Sequence, residues 1–157
     1  MFKFQLTIVL LLFSFAAGSS GPLKPQKWER VKDVVFESPS RVSPAGYGIT
    51  IRLFYDKEMR VEIIVVNGDE DSDKNVCALL DTDRYPNVWD VNGRIITYEG
   101  ECDDNVVKLW PKYKNETKYI IDEFLTKTVV HLGPTSFGTK GFIDGYSEVL
   151  RYASYLD

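Results

Sequence analysis

Three carboxylates at alternate positions are the residues whose spacing most directly suggests chemistry. Asp69, Asp71 and Asp73 lie two positions apart in an acidic stretch. A hard cation takes several oxygens from one tight turn, and this spacing resembles the first half of a calcium loop. Such a loop requires glycine where this chain has Lys74 and a bidentate glutamate where it has Leu80. We therefore predict a solvated hairpin loop, with calcium binding as the alternative.

A single histidine limits the catalytic and metal-binding options. His131 has no second imidazole to pair with, which excludes zinc motifs built from several histidines. A Ser-His-Asp triad needs only one, but the chain has no Gly-x-Ser-x-Gly motif, and His131 lies in a β-branched segment typical of a strand. We therefore predict no catalytic residue, no cofactor and, apart from the calcium alternative, no metal site.

The N-terminus has the three parts of a secretory signal peptide. Lys3 precedes an apolar run, which is followed by small residues around Gly18. The alternative is a membrane anchor, but the run of about 12 to 14 residues is shorter than the roughly 20 needed to cross a bilayer. We predict that residues 1–18 are cleaved and that the remaining chain is secreted, without a membrane span.

This route of export predicts two covalent modifications. Cys77 and Cys102 are the only cysteines, and an oxidising compartment makes a disulfide between them the first expectation. An intermolecular bridge or two free thiols are the alternatives. Asn115 begins an Asn-x-Thr sequon, which predicts an exposed turn or strand end that is glycosylated where the host cell does so.

The composition is that of one folded domain. The chain has 157 residues, 44% of them hydrophobic and 13% aromatic, with a net charge of -4. Disordered chains combine low hydrophobicity with high net charge, which is not the case here. The acidic balance also argues against a nucleic-acid partner, because phosphate binding requires clustered lysine and arginine.

Two-residue periodicity predicts strands through most of the chain. Apolar residues alternate with polar ones at 47–55 and again at 59–65, which indicates an antiparallel hairpin. Asn92-Gly93 between two further alternating segments predicts a tight primed turn. Strands are also predicted at 76–80, which carries Cys77, at 106–110 and at 126–132, and the segment 28–36 fits a short strand or a helix.

Helical periodicity appears only near the C-terminus. The apolar residues at helical spacing are Phe142, Tyr146, Val149, Leu150 and Ala153. They predict a final helix packed on the sheet through one face. The segment 119–125 fits a helix by its apolar spacing and a strand by its β-branched pair, and the sequence leaves both open.

These elements predict a mainly β fold. We expect an antiparallel β-sandwich or barrel of seven to eight short strands with one C-terminal α-helix, and an α+β fold is the alternative. The predicted divisions are a signal peptide at 1–18, an N-terminal arm and irregular segment at 19–46, and a single β-rich domain with the helix at 47–157. An eight-stranded barrel with a terminal helix resembles the lipocalin layout. The Gly-x-Trp start of that family is absent, since Gln26 stands two places before Trp28, and we assign no family.

The functional hypotheses follow from the predicted export and from the absence of a catalytic motif. The first is a secreted, non-enzymatic binding protein or effector, of the salivary or venom type, that acts through its surface on another extracellular molecule. Its partner would be an unknown extracellular protein or small ligand. Tyr146, Tyr152 and Tyr155 on the last helix are the predicted binding surface. The alternatives are an extracellular carrier with a small apolar ligand in a barrel pocket and, third, a small secreted hydrolase.

Overall fold

The computed structural model describes residues 27–32, 34–68, 75–80 and 88–156. The predicted signal peptide, residues 19–26 and the carboxylates Asp69, Asp71 and Asp73 lie outside these ranges. The strands of the described residues are β1 (Glu29–Lys32), β2 (Val35–Glu37), β3 (Arg41–Val42), β4 (Tyr47–Tyr55), β5 (Met59–Asn67), β6 (Val88–Val91), β7 (Arg94–Asp103), β8 (Val106–Pro111), β9 (Val129–Leu132) and β10 (Thr135–Gly138). The helices are α1 (Lys114–Thr126), α2 (Phe142–Ala153) and a 3₁₀ helix at Val76–Leu80.

The strands form one antiparallel sheet that curls into a half-barrel. Their order is β1-β2-β4-β5-β8-β7-β6-β9-β10, and β3 pairs with the other end of β4. The long strand β7 joins the two sides of the sheet, because residues 94–97 pair with β6 and residues 98–103 pair with β8. The predicted mainly β, antiparallel fold with a C-terminal helix is confirmed.

The predicted hairpin forms the centre of the sheet. In β4 and β5, Ile51 lies opposite Ile63, and Ile63 lies opposite Leu109 of β8. All three side chains are buried, because a period of two sends alternate residues to one face. The Asn92-Gly93 turn also forms as predicted, with φ of 48° and 87° at its two central residues.

Aromatic and aliphatic side chains fill the concave side of the sheet. Helix α1 packs against β5, β8 and β9, and α2 packs against β4 and α1. The indole of Trp28 meets the rings of Phe124 and Phe142 edge to face, at centroid distances of 5.3 and 4.8 Å. Burial of one such side chain contributes roughly 1.5–3 kcal/mol. The interior of the half-barrel is therefore a packed core built around two helices.

The segment 76–80, predicted as a strand, is a 3₁₀ helix. Two asparagine side chains take the backbone donors that a strand would use for pairing. The N–H of Val76 donates to Oδ1 of Asn105 at 2.7 Å, and the N–H of Cys77 donates to Oδ1 of Asn75 at 3.0 Å. Because Asn105 lies 29 positions away, this competition with strand pairing is not visible in the local pattern.

Two other segments also differ in detail from the sequence pattern. The ambiguous stretch 119–125 lies inside α1, so that the following strand begins at Val129 and not at residue 126. Residues 28–36, which fitted a short strand or a helix, contain β1 and most of β2, and β3 lies in the remainder of the segment predicted as irregular. None of the helices formed by the described residues is long and apolar enough to cross a membrane.

Candidate functional site

The predicted disulfide joins Cys77 to Cys102, with 5.5 Å between their Cα atoms. It ties the 3₁₀ helix to the end of β7. Val76, next to the bridge, is fully buried against the core. The bridge therefore fixes a segment that has no strand partner of its own.

The only histidine has a serine partner that the sequence analysis did not find. His131 and Ser136 lie opposite each other on β9 and β10, and Nδ1 of the ring is 2.8 Å from the serine hydroxyl. Both residues are exposed. Among the described residues, no carboxylate is hydrogen-bonded to this imidazole, so the pair has no third group to orient it. The Gly133-Pro134 turn could have predicted this pairing, because a two-residue turn places Leu132 opposite Thr135 and therefore His131 opposite Ser136.

The three tyrosines predicted as a binding surface do not lie together. Tyr146 is half-buried and stacks on Phe142, whereas Tyr152 and Tyr155 are 38% and 79% exposed. Tyr152 lies six residues after Tyr146 on α2, so the two side chains point in directions about 120° apart around the helix axis. Tyr155 lies beyond the last residue of α2. Only Tyr146 lines a pocket described below.

An open pocket of about 530 Å³ lies where the β4–β5 turn and the end of β8 meet α1 and α2. We call it the α1 pocket. Its apolar lining consists of Met59, Val61, Trp110, Pro111, Ile121 and Tyr146. Its polar lining consists of Glu58, Arg60, Glu99, Lys112, Lys114, Thr117, Lys118 and Asp122. This volume is in the range of small-molecule sites, and the lining combines an apolar floor with a charged rim.

The carboxylates of the rim are held by lysine and arginine. Glu58 pairs with Lys114 at 2.5 Å and with Arg60 at 3.9 Å. The hydrogen bond from Lys114, together with the two positive charges, lowers the pKa of Glu58 below its ordinary value. Glu99 pairs with Lys112 at 3.5 Å.

Helix α1 presents one face to this pocket. Lys114, Thr117, Lys118 and Ile121 recur at spacings of three and four, which places them on one side of a helix. The sequence pattern did not predict this face, because no element was predicted at 112–118 and the segment 119–125 fitted a strand as well as a helix. Asn115, the predicted glycosylation site, is exposed as predicted, but it lies in the first turn of the same helix and not in a turn or at a strand end.

Beneath the first turn of α1 lies a buried pair of polar side chains. Glu116 accepts a hydrogen bond from the backbone N–H of Thr97 at 3.3 Å through Oε1, while its Oε2 and the hydroxyl of Tyr98 have no partner in the part of the chain that the structure describes. Burial, with the charges of Glu116 and Asp90, raises the pKa of Tyr98 far above its ordinary value. The phenol therefore stays neutral.

No grouping of three or more metal-ligating side chains occurs among the described residues. Comparison of the chain with protein-family models, with curated proteins and with solved structures finds no match. The α1 pocket is thus the candidate site on the basis of its own geometry.

Proposed function

We propose that this protein is an extracellular binding protein that holds another extracellular molecule at its surface, in the α1 pocket. The observation that carries the proposal is the combination of an apolar floor with a charged rim in one open pocket of about 530 Å³. Apolar walls supply affinity, and a few polar groups fix the orientation of a ligand.

The packing of the interior favours a surface site over an internal carrier site. A barrel that carries a ligand needs free space on its concave side. In this protein Trp28, Phe124 and Phe142 occupy that side and pack ring against ring at centroid distances of 4.8 to 5.3 Å. All three are at most 2% exposed.

Two observations support the extracellular assignment. The Cys77–Cys102 disulfide is typical of proteins that pass through an oxidising compartment. The N-terminal eighteen residues have the pattern of a cleaved leader.

The location of binding can be tested with 1-octanol, a neutral apolar probe, by ¹H–¹⁵N correlation spectroscopy on the mature chain. We expect saturable shifts for pocket residues such as Met59, Thr117 and Ile121, and none for core residues such as Ile51 and Val149. Shifts confined to the core would support an internal carrier, and no shifts at all would remove the pocket as a binding site.

A matched pair of variants controls for non-specific effects. Asp122→Trp places an indole at the rim of the pocket and is expected to abolish the octanol shifts. Ser147→Trp places the same side chain on the exposed side of α2 and is expected to leave them unchanged.

A further inference from the structure

We propose that the α1 pocket takes an anionic amphiphile, meaning a molecule with a short apolar tail and one carboxylate or comparable anionic head. This inference rests on the proposed function, because it names the class of molecule that the pocket would hold.

The floor of the pocket suits an apolar tail. Val61, Pro111 and Ile121 are buried, and Met59 and Tyr146 are half-buried beside them. These side chains come from β5, β8, α1 and α2, so the floor is supported by four packed elements. The half-buried side chains of Met59 and Tyr146 still expose apolar surface, and a tail that covers it removes that surface from water at about 25 cal/mol per Å².

The charges of the rim favour an anionic head. The lining has four basic side chains, and three of them are paired with carboxylates: Lys114 with Glu58, Lys112 with Glu99, and Arg60 with Glu58 and with Asp56 at 3.8 Å. Glu58 and Glu99 are already paired with cations. Lys118 is exposed and has no ion pair among the described residues, so its ammonium group is available to a ligand. The positive end of the α1 dipole lies on the same side of the pocket.

One rim group opposes an anion. Asp122 is exposed, lies one turn beyond Lys118 on α1 and has no ion pair among the described residues. Its carboxylate would repel the head of an anionic ligand and attract that of a cationic one. Neutralising Lys118 and neutralising Asp122 should therefore have opposite effects on affinity, and the directions of these effects show whether the head group of the ligand is anionic or cationic.

The experiment compares three probes with the same eight-carbon tail: octanoate, 1-octanol and octylamine. Dissociation constants are taken from ¹H–¹⁵N shifts of the pocket residues in the mature chain. We expect octanoate to bind about threefold to tenfold more tightly than 1-octanol, as one partly screened ion pair allows, and octylamine to bind more weakly than either. Raising the ionic strength should weaken octanoate binding and leave 1-octanol binding unchanged.

Three single substitutions locate the head group. Lys118→Gln should remove the advantage of octanoate over 1-octanol, whereas Asp122→Asn should increase it. Lys127→Gln is the matched control, because Lys127 is exposed at the other end of α1 and does not line the pocket. It should leave both affinities unchanged.

The outcomes separate this inference from the proposed function. Pocket shifts with 1-octanol but equal or weaker binding of octanoate would overturn the anionic ligand class and leave the pocket as a binding site. Equal effects of Lys118→Gln and Lys127→Gln would overturn the role of Lys118. Absence of pocket shifts with all three probes would overturn the proposed site itself.

Discussion

At the scale of single residues, the hydroxyl of Tyr98 is a buried polar group near the candidate site. It lies among core side chains, is 2% exposed and has no hydrogen-bond partner among the described residues. Burial is the main cause of the raised pKa of this phenol, and the charge of Glu116 adds to it. A buried polar atom without a partner costs about 1–3 kcal/mol. The core is therefore less stable than its apolar packing alone would make it.

We predict that Tyr98→Phe raises the free energy of unfolding by about 1 kcal/mol, because it removes an unpaired hydroxyl and keeps the ring. The measurement is urea unfolding at neutral pH. Tyr119→Phe is the matched control: its hydroxyl donates to the carbonyl of Val91 at 3.1 Å, so its loss should lower stability by about 1 kcal/mol. Equal losses in both variants would contradict the absence of a partner for Tyr98.

The raised pKa of Tyr98 gives this prediction a pH dependence. The neutral phenol is favoured in the folded chain, whereas the unfolded chain ionises it above about pH 10. Ionisation of Tyr98 therefore has no effect on stability below that pH, and it lowers the free energy of unfolding progressively as the pH rises beyond it. Above pH 10, the free energy of unfolding measured with urea should fall more steeply with pH in the wild type than in Tyr98→Phe.

At the scale of elements, sequence patterns predicted the parts that follow a local rule. The β4–β5 hairpin alternates strictly, and Asn92-Gly93 has the conformations that a primed turn needs. The 3₁₀ helix at 76–80 was missed because its geometry depends on Asn105, which is distant in the chain. Helix α1 was left open because propensity alone cannot show that Ile120 and Phe124 face a core.

The α1 pocket was beyond sequence prediction for a different reason. Its lining comes from residues 58–61, from Glu99, from residues 110–122 and from Tyr146. These segments are distant in sequence and come together only when β4, β5, β8 and both helices have packed in the folded protein. Of the residues singled out from sequence as a binding surface, only Tyr146 belongs to it.

Strand β7 contains a position where the packing leaves no room for a side chain. A Cβ atom added at Gly100 would lie 2.6 Å from Cδ2 of Leu109 and 2.7 Å from the carbonyl oxygen of Lys108. We predict that Gly100→Ala lowers the free energy of unfolding by about 1–3 kcal/mol, measured by urea unfolding. Gly138→Ala in β10 meets nothing within 4 Å and should not destabilise the protein. If Gly100→Ala left the free energy of unfolding unchanged, Leu109 and the adjoining strand would have to shift to make room.

At the scale of the whole molecule, Trp28 links the start of the described chain to the far edge of the sheet. Its backbone N–H donates to the carbonyl of Lys140 at 3.0 Å, and its indole N–H donates to that of Gly138 at 3.2 Å. The same ring packs edge to face against Phe124 and Phe142, which stack on each other. One side chain thus connects β10, both α-helices and the segment that leads into β1.

We predict that Trp28→Ala lowers the free energy of unfolding by about 3–5 kcal/mol, because it removes a large buried ring and one hydrogen bond. Trp28→Phe keeps an aromatic ring and should lower it by less. Both free energies are measured by urea unfolding, with circular dichroism as the signal. A loss under about 1 kcal/mol in Trp28→Ala would mean that the core can refill the space, contrary to its tight packing.

The connection through Trp28 also sets the order in which a nascent chain completes its fold. The indole and its acceptor at Gly138 are 110 positions apart, and the second acceptor, at Lys140, is farther still. Translation delivers the tryptophan first, and its acceptors emerge from the ribosome only after about 110 further residues. Contacts of such long range slow folding, since a large loop must close before they form. Until residues 138–140 have been made, Trp28 lacks both of the acceptors that it has in the folded protein.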